Sequence, residues 1–333
     1  MIDKKIAVVI LNWNGSKLLE QFLPSISSYS DEATIYVADN ASTDDSIAFI
    51  KTNYPDIKII QNDGNFGFAK GYNDALKFVE EPYYALVNSD IEVTENWLLP
   101  IINIFEKQSE IAIIQPKLLD FKNKSKFEYA GAAGGFIDNF GYPFCRGRVF
   151  NFIENDNGQY NDNCEIFWAS GACFFIRKQV YNELKGFDET FFAHQEEIDL
   201  CWRAFNKGYT SLYCSKSVVY HVGGATLKES NPKKTYLNFR NSLYTLTKNL
   251  PKNKIIIIIL SRFILDGIAG IKFILEGKFS HCIAIIKAHF SYYKNFNKYL
   301  NKRDLIQNDE YYKTKNIVYK FFIQKKSLFN SIN

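Results

Sequence analysis

The stretch YALVNSDIEV, residues 84–93, contains a strand pattern that ends in a carboxylate. Residues 84–87 form a continuous apolar run bounded by polar residues, which is typical of a short buried strand. Asn88 and Asp90 follow where that strand would leave its sheet, and open α/β sheets bind ligands beyond the carboxyl ends of their strands. An Asp at such an edge can hold a divalent cation, which in turn can hold a diphosphate. An ordinary turn has the same composition, so the neighbouring segments must distinguish the two interpretations.

The segments around this stretch alternate between strand and helix patterns. Strands are predicted at residues 5–11, 35–38, 57–60, 83–87 and 111–114. Apolar residues at helical spacing predict a helix over residues 16–29. Strands that alternate with helices of about a dozen residues predict an α/β domain with a mainly parallel central sheet.

Charge is unevenly distributed along the 333 residues, although the net charge is only +4. Residues 251–333 contain 15 Lys and Arg against 5 Asp and Glu, whereas residues 1–250 contain 25 against 31. An acidic body with a basic, aromatic-rich tail indicates that the tail faces an anionic partner. With neither a secretory signal pattern nor CxxC spacing, the six cysteines are expected to be reduced thiols in the cytoplasm.

Polar residues follow two more of the predicted strands. Asp39 leaves the strand at 35–38, where a carboxylate can accept hydrogen bonds from a base or ribose or can simply begin a turn or helix. Residues 62–73, NDGNFGFAKGYN, are predicted to form a loop whose glycines let the backbone approach a ligand. Lys70 in this loop can add positive charge near the phosphate groups of such a ligand. Neither G-x-G-x-x-G nor Gly-Lys-Ser/Thr is present, which argues against hydride transfer and ATPase chemistry.

Candidate catalytic and acceptor-side residues lie in the second half of the chain. Trp168 can stack on a sugar ring or be buried in the core. Glu196 and Glu197 begin a predicted helix, where acidic residues suit the helix dipole and where a carboxylate can also act as a general base. A lone histidine is usually structural, but His221 precedes Gly223-Gly224, which indicates a loop at the edge of a site.

A series of short segments over about residues 4–248 resembles the inverting nucleotide-sugar glycosyltransferases of family 2, and within them the bacterial rhamnosyltransferase-like branch. The segments are, in order, VVILNWNG, VADNASTDDS, NFGFAKGYN, ALVNSDIEV, ASGACFFIRK, GFDETFF, QEEIDLCWR, YHVGGAT and FRNSLY. The resemblance implies a GT-A nucleotide-sugar-binding fold, with a catalytic domain over residues 1–248. It also implies sugar transfer from a nucleotide-diphosphate donor to a hydroxyl group, with inversion, in cell-surface polysaccharide synthesis.

The resemblance assigns roles to individual residues. Asp90 and His221 would bind Mg²⁺ or Mn²⁺, with a single carboxylate because Asn-Ser-Asp replaces the usual DxD. Glu197 would be the base at a position where Asp is usual, with Glu196 beside it as the alternative. Trp168 and Gly171 would lie on the acceptor side. The donor would be dTDP-, UDP- or GDP-linked, and the residues expected to contact it are Asn12, Asn14, Asp39, Asn65, Gly67, Lys70, Asn73, Asn88 and Arg240.

The tail, residues 249–333, is expected to be helical and to associate with a membrane. Residues 255–275 would reach about 30 Å as a helix, but Arg262, Asp266 and Lys272 fall within an arc of about 120°. Such a polar stripe suits a helix lying in the membrane interface, and packing on the catalytic domain is the alternative. We therefore expect a cytoplasmic enzyme peripheral to the inner face of the membrane, with a glycan or lipid-linked glycan as acceptor and no nucleic-acid partner.

Two other classes of protein would share this fold. A nucleotidyltransferase should carry a basic, glycine-rich signature after the first strand, where residues 12–15 read Asn-Trp-Asn-Gly. A non-catalytic carbohydrate-binding or scaffold protein would be compatible with the reduced DxD. Release of nucleotide from a sugar nucleotide distinguishes an enzyme from such a scaffold.

Overall fold

The first part of the chain builds a parallel sheet, and the computed structural model describes residues 4–223 and 230–332. The strands are β1 (Ile6–Asn12), β2 (Ala33–Asp39), β3 (Lys58–Gln61) and β4 (Tyr83–Asn88), and the helices are α1 (Ser16–Ser28), α2 (Ser46–Asn53) and α3 (Gly67–Ala75). The four strands are parallel in the order β4-β1-β2-β3. β1 and β4 are almost completely buried, because helices cover both faces of the sheet. The first four predicted strands are thus confirmed to within a few residues.

The second part of the sheet is mixed. It contains β5 (Ile91–Val93), β6 (Ile111–Asp120), β11 (Cys164–Ile166), β12 (Cys173–Arg177) and β13 (Thr210–His221), with helices α4 (Leu99–Lys107), α5 (Lys178–Glu183) and α6 (Glu196–Asn206) between them. β12 lies antiparallel between β4 and β6, whereas β13 is parallel to β6. The full order is β11-β13-β6-β12-β4-β1-β2-β3, with β5 beside β13. The expected parallel arrangement therefore describes the first half of the sheet, and β12 interrupts it.

A second, antiparallel sheet accounts for the glycine-rich segment after β6. Its order is β10-β9-β8-β7, formed by β7 (Gly135–Ile137), β8 (Pro143–Cys145), β9 (Arg148–Val149) and β10 (Phe152–Ile153). Gly141 and Gly147 have φ of +75° and +104°, which glycine adopts without the steric cost of a Cβ. All six cysteines lie within the described ranges and are free thiols.

The prediction of a loop over residues 62–73 is wrong from Gly67 onward, because α3 begins there. Ala69, Tyr72 and Ala75 form the buried face of this helix. A Cβ on Gly71 would come within 2.8 Å of the Asn40 side chain, so glycine serves close packing of the helix on the strand ends. Gly67 therefore begins a helix, and Gly71 allows that helix to pack closely on the strand ends.

Three helices follow the sheet, namely α7 (Pro232–Asn249), α8 (Ile255–Leu275) and α9 (Phe279–Leu300). α8 has the predicted bounds, but two of the three polar residues of its predicted stripe point inward: Arg262 and Asp266 are only 3% and 0% exposed, whereas Lys272 is exposed. Arg262 donates hydrogen bonds to the Phe140 carbonyl at 3.1 Å and to Ser242 Oγ at 3.0 Å. The expectation of a polar stripe turned toward the interface is therefore wrong for Arg262 and Asp266. Within residues 4–223 and 230–332, no helix is both long and apolar enough to cross a membrane.

Candidate active site

The carboxyl ends of β1 and β2 are joined by a buried hydrogen-bond network around Asp39. Asn12 lies opposite Asp39 in the strand register, and its Nδ2 donates to Asp39 Oδ1 at 2.9 Å. Asp39 also accepts from the Ser42 amide and hydroxyl and from Gln61 Nε2. These four bonds occupy the usual acceptor positions of a carboxylate. Asp39 therefore organises the strand ends here, and its contact with a nucleotide stays a prediction.

The other residues predicted at this edge differ in how accessible they are. Asn14 is exposed, with φ of +49°, and its Oδ1 accepts from the Thr43 amide at 2.7 Å. Asn12 Oδ1 is buried under Gly15 and has no hydrogen-bond partner among the described residues. Asn88 is partly exposed at the end of β4, and its amide donates to the Ala172 carbonyl at 2.9 Å. Asn14 and Asn88 thus have side chains that a ligand can reach.

The residues predicted around α3 divide into exposed and engaged groups. Asn65 is exposed, and Lys70 Nζ pairs with Asp74 at 2.7 Å, so its charge is already compensated. Asn73 Oδ1 accepts from Tyr181 Oη at 2.6 Å and from the Phe187 amide at 3.0 Å. Asn73 therefore anchors the segment before α6 and is not free to bind a donor.

The predicted metal ligands meet at the ends of β4 and β13. Asp90 follows β4, His221 ends β13, and His221 Nε2 lies 3.2 Å from Asp90 Oδ1. On the other side of the ring, His221 Nδ1 lies 3.1 Å from Glu128 Oε1. Burial lowers the pKa of His221, but the charge of Glu128 and the hydrogen bond to Asp90 outweigh it and raise the pKa to about 10. The same carboxylates that favour a proton on this ring would favour a cation.

The pair Asp90 and His221 fits a divalent cation in spacing and chemistry. Two ligands about 2.1 Å from an octahedral cation and at right angles to each other lie about 3 Å apart, close to the observed separation. A carboxylate behind the ring, as Glu128 is here, is the usual partner of a metal-binding histidine. No group of three or more His, Cys, Asp or Glu side chains that could hold a metal occurs in the described part of the chain, so a cation would take two ligands from it.

Glu196 and Glu197 begin α6 but have different environments. Glu196 is 4% exposed, and its Oε2 has no hydrogen-bond partner among the described residues. Burial and the neighbouring charge of Glu197 raise the pKa of Glu196 well above its usual value. Glu197 is partly exposed; burial raises its pKa to about 7, against hydrogen bonds from backbone amides. The two glutamates therefore differ in how accessible their carboxylates are.

Residues 187–195, here called the base loop, lead into α6 in a strained conformation. Phe192, His194 and Gln195 have φ of +66°, +70° and +73°, which residues other than glycine seldom adopt. Asn241 Nδ2 lies within 3.1 Å of three carbonyl oxygens of this loop, and Arg240 donates to the Phe191 carbonyl at 3.2 Å. Arg240 thus contacts the base loop, and its predicted contact with the donor remains untested.

The two predicted acceptor-side residues differ in how accessible they are. Trp168 is only 2% exposed, its Nε1 donates to the Phe136 carbonyl at 2.9 Å, and Gly135 packs on its ring. Its proposed stacking on a sugar is therefore wrong, because no face of the ring is accessible. Gly171 lies beside the base candidate, since a Cβ there would be 3.7 Å from Glu197 Cδ. Gly171 leaves space next to that carboxylate.

Sequence reasoning missed Glu128 and Lys248. Glu128 is a single acidic residue before a glycine-rich segment, and no spacing motif links it to His221. Lys248 Nζ is buried between Asp188 and Asp199, 2.8 Å from each. Asp199 also pairs with Arg203, and this pair is buried, since Asp199 is 0% exposed. No local sequence pattern predicts that Lys248 lies between Asp188 and Asp199, because their meeting depends on the fold.

Comparison with known proteins identifies a family and several relatives of this chain. The family model described as "Glycosyl transferase family 2" matches residues 7–185, more than half of the chain. The N-acetylglucosaminyl-diphospho-decaprenol L-rhamnosyltransferase of Mycobacterium tuberculosis is 22% identical over 254 residues, covering 69% of this chain and 82% of that protein. The rhamnosyltransferase WbbL of Escherichia coli K12 is 25% identical over 205 residues, covering 59% and 75%.

A solved structure shares the fold. The crystal structure of GalNAc-T7 with UDP, GalNAc and Mn²⁺ superposes with a TM-score of 0.59 at 15% identity, over 75% of this chain. This chain spans about half of that protein, 49% of its length. The fold and site define a glycosyltransferase of the GT-A type. The chain belongs to glycosyl transferase family 2.

Proposed function

We propose that this enzyme transfers a sugar from a nucleotide-diphosphate donor to a hydroxyl group of a glycan acceptor with inversion, using Glu197 as the general base. The observation that carries the proposal is the environment of Glu197, a partly exposed carboxylate beside Gly171 whose pKa is raised to about 7. A base with a pKa near the working pH combines a useful ionised fraction with sufficient proton affinity. Glu196 is buried, where an acceptor hydroxyl cannot reach its carboxylate, so it is the weaker candidate.

The proposed step is a single displacement. Glu197 accepts the proton of the acceptor hydroxyl while that oxygen forms a bond to the anomeric carbon. The bond between the anomeric carbon and the diphosphate oxygen breaks, and its electron pair leaves with the nucleotide diphosphate. Attack from the opposite face inverts the configuration, and the proton remains on Glu197 without a covalent enzyme intermediate.

Asp90 and His221 would hold a divalent cation, Mg²⁺ or Mn²⁺. Glu128, which lies behind the imidazole of His221, would orient that ring. When bound, such a cation neutralises charge on the departing diphosphate. The Mn²⁺ in the GalNAc-T7 structure supports this assignment for the fold. Exposed polar groups near the carboxyl edge, Asn14 and Asn88, are the proposed contacts to the nucleotide, which is dTDP-, UDP- or GDP-linked.

The proposed acceptor is a lipid-linked glycan, met at the inner face of the cytoplasmic membrane. The M. tuberculosis relative is named for a diphospho-decaprenol-linked sugar, which supports a lipid carrier here. The surplus of 15 basic over 5 acidic residues in residues 251–333 supports peripheral attachment to an anionic surface.

Glu197→Gln tests the base assignment, with Glu196→Gln as the matched control one residue away. With the donor identified from a panel of sugar nucleotides by nucleotide release, Glu197→Gln should lower turnover at least about a hundredfold, the usual contribution of a general base. Donor affinity, measured by calorimetry, should stay unchanged because the base contacts the acceptor. In the wild type, turnover should fall as the pH drops below about 7, where Glu197 gains a proton.

Three outcomes would contradict the proposal. Equal losses in Glu196→Gln and Glu197→Gln would remove the distinction between the glutamates. A parallel loss of donor affinity in Glu197→Gln would move this residue to the donor side. No nucleotide release from any sugar nucleotide, with or without glycan acceptors, would favour a carbohydrate-binding role.

A further inference from the structure

The outer surface of α8 and α9 is strongly apolar. Thirteen large apolar side chains are between 41% and 83% exposed there, and we call this surface the α8–α9 face. Its members are Ile256, Ile257, Leu260, Ile264, Ile268, Ile271, Ile274 and Leu275 on α8, and Phe279, Ile283, Ile286, Phe290 and Tyr293 on α9. Monomeric soluble proteins rarely expose contiguous apolar patches larger than a few hundred Å². A surface of this size therefore requires a partner that removes it from water.

Arg262 and Asp266 of α8 are turned the other way, into the protein. Asp266 is fully buried between Arg262 and His289, whose Nε2 lies 3.1 Å from Asp266 Oδ2. Phe263 packs on His289 and Tyr293, which joins the two helices side by side. The buried ion pair fixes the rotation of α8, so its apolar side cannot turn inward without leaving charges unpaired. The packing of α8 therefore keeps its apolar stripe on the outside of the protein.

Exposed lysines adjoin the apolar stripes. Lys287, Lys294 and Lys298 lie roughly 60–100° from the centre of the stripe on α9, at 100° per residue. Lys272 and Lys278 add two more positive charges, against a single exposed acid, Glu276, in α8, α9 and their connection. Apolar side chains bordered by lysines are the pattern of a helix that lies in a membrane interface with anionic headgroups.

We propose that the α8–α9 face is the surface by which the enzyme docks on an anionic lipid bilayer, with its apolar stripes at the acyl boundary and its lysines among the headgroups. A second copy of the chain is a poorer occupant. In a two-fold dimer the same surface meets itself, so the lysines of one copy would approach those of the other. Anionic lipids would instead neutralise them.

This docking surface deepens the proposed function, and only its consequence for the acceptor rests on that function. The end of α9 is attached to the base loop, since Tyr299 Oη lies 2.7 Å from Thr190 Oγ1 and Lys302 Nζ lies 2.7 Å from Asp188 Oδ1. A bilayer against α8 and α9 would therefore lie on the part of the molecule that holds the base loop. A lipid-linked acceptor would reach Glu197 without leaving its membrane.

The test is flotation of the full-length protein with vesicles of phosphatidylcholine alone or with 30 mol% phosphatidylglycerol, about a third anionic lipid. The double variant Ile264→Glu/Ile268→Glu should lower the partition coefficient about a hundredfold or more on the anionic vesicles, because each buried apolar side chain contributes about tenfold or more. Phe78→Glu is the matched control, since Phe78 is 68% exposed outside the α8–α9 face, and it should bind as the wild type does. Lys287→Gln/Lys294→Gln should weaken binding to anionic vesicles about tenfold or more and leave phosphatidylcholine unchanged.

Thermal melting must first show that each variant folds as the wild type does. Unchanged flotation of the folded Ile264→Glu/Ile268→Glu protein would overturn the proposal. So would a wild-type dimer in analytical ultracentrifugation that becomes a monomer in this variant, because the face would then belong to a second copy. Nucleotide release with a water-soluble acceptor separates the two proposals. If the wild-type protein releases no nucleotide, the transferase function is contradicted. If it releases nucleotide but does not float with the vesicles, only the docking surface is contradicted.

Discussion

Lys248→Met removes the cation that ties α7 to α6 and to the base loop. The Lys248 side chain is 4% exposed and lies 2.8 Å from both Asp188 and Asp199. Asp199 would keep Arg203, and Asp188 would keep Lys302. Because each carboxylate retains one cation, the loss in unfolding free energy should be near the lower limit for breaking a buried pair, about 3 kcal/mol. An unfolding entropy of about 0.7 kcal/mol/K for a chain of this length converts this into a melting temperature about 4 °C lower.

Lys207→Met provides the matched control, because Lys207 forms a 2.9 Å pair with Glu183 at the surface, where the side chains are 33% and 40% exposed. An exposed pair contributes about 1 kcal/mol or less, so this variant should melt within about 1 °C of the wild type. Scanning calorimetry at pH 7 measures both shifts. Equal shifts for the two variants would refute the idea that burial makes the Lys248 network strong.

The pH dependence of the same pair adds an independent check. Burial raises the pKa of Asp188 and of Asp199, but Lys248 acting together with the second cation of each acid, Lys302 or Arg203, outweighs burial and lowers both below their usual values. Folding therefore favours the ionised carboxylates, and the stability they provide is present at neutral pH and is lost on acidification below about pH 4. The gap in melting temperature between wild type and Lys248→Met should narrow there. A gap that widens on acidification would contradict the lowered pKa values.

Two further substitutions test the site and its support. Glu128→Gln should weaken Mn²⁺ binding about 10- to 100-fold, because it removes the carboxylate behind His221; Mn²⁺ titration followed by electron paramagnetic resonance measures this, and unchanged affinity would exclude Glu128 from the cation site. Gly67→Ala should destabilise the fold more than Gly208→Ala does. Both glycines have φ near +85°, which costs alanine about 1–2 kcal/mol, but only at Gly67 would the Cβ meet a backbone oxygen, that of Phe192, at 2.5 Å. Denaturant unfolding that gives the same loss for both would show that the contact is relieved without cost.

Much of the site was predictable because it lies at the ends of strands with clear apolar patterns. The pairing of β1 with β2 and β4 brings Asn12, Asp39 and Asn88 to one edge, as the order of strands and helices predicts. The meeting of Asp90 with His221 was less evident, since it depends on β13 pairing with β5 from 130 residues away. Only the family resemblance joined these two residues before the fold was known.

The errors share a physical cause, which is that a pattern on one element does not show what packs against it. The helical spacing of Arg262 and Asp266 predicts one polar side of α8, but the carbonyl of Phe140 and the hydroxyl of Ser242, which receive Arg262, come from distant segments. Trp168 is buried because Gly135 approaches its ring, and that contact has no trace in the local sequence. In both cases the side of the element that faces the core was decided by long-range packing.

The contacts of the base loop show that the tail helps to hold its conformation. Positive φ at Phe192, His194 and Gln195 costs about 1–3 kcal/mol each, and such strain persists only where the surroundings fix the backbone. Asn241 holds the loop from α7, while Tyr299 and Lys302 hold it from the end of α9 and the turn that follows. Deleting residues 249–333 would therefore remove two of these supports together with the apolar surface, and would confound membrane docking with a loss of the base loop's geometry. Substitutions on the outer side of α8 separate the two effects, because the side chains that hold the loop lie on α7 and beyond the middle of α9.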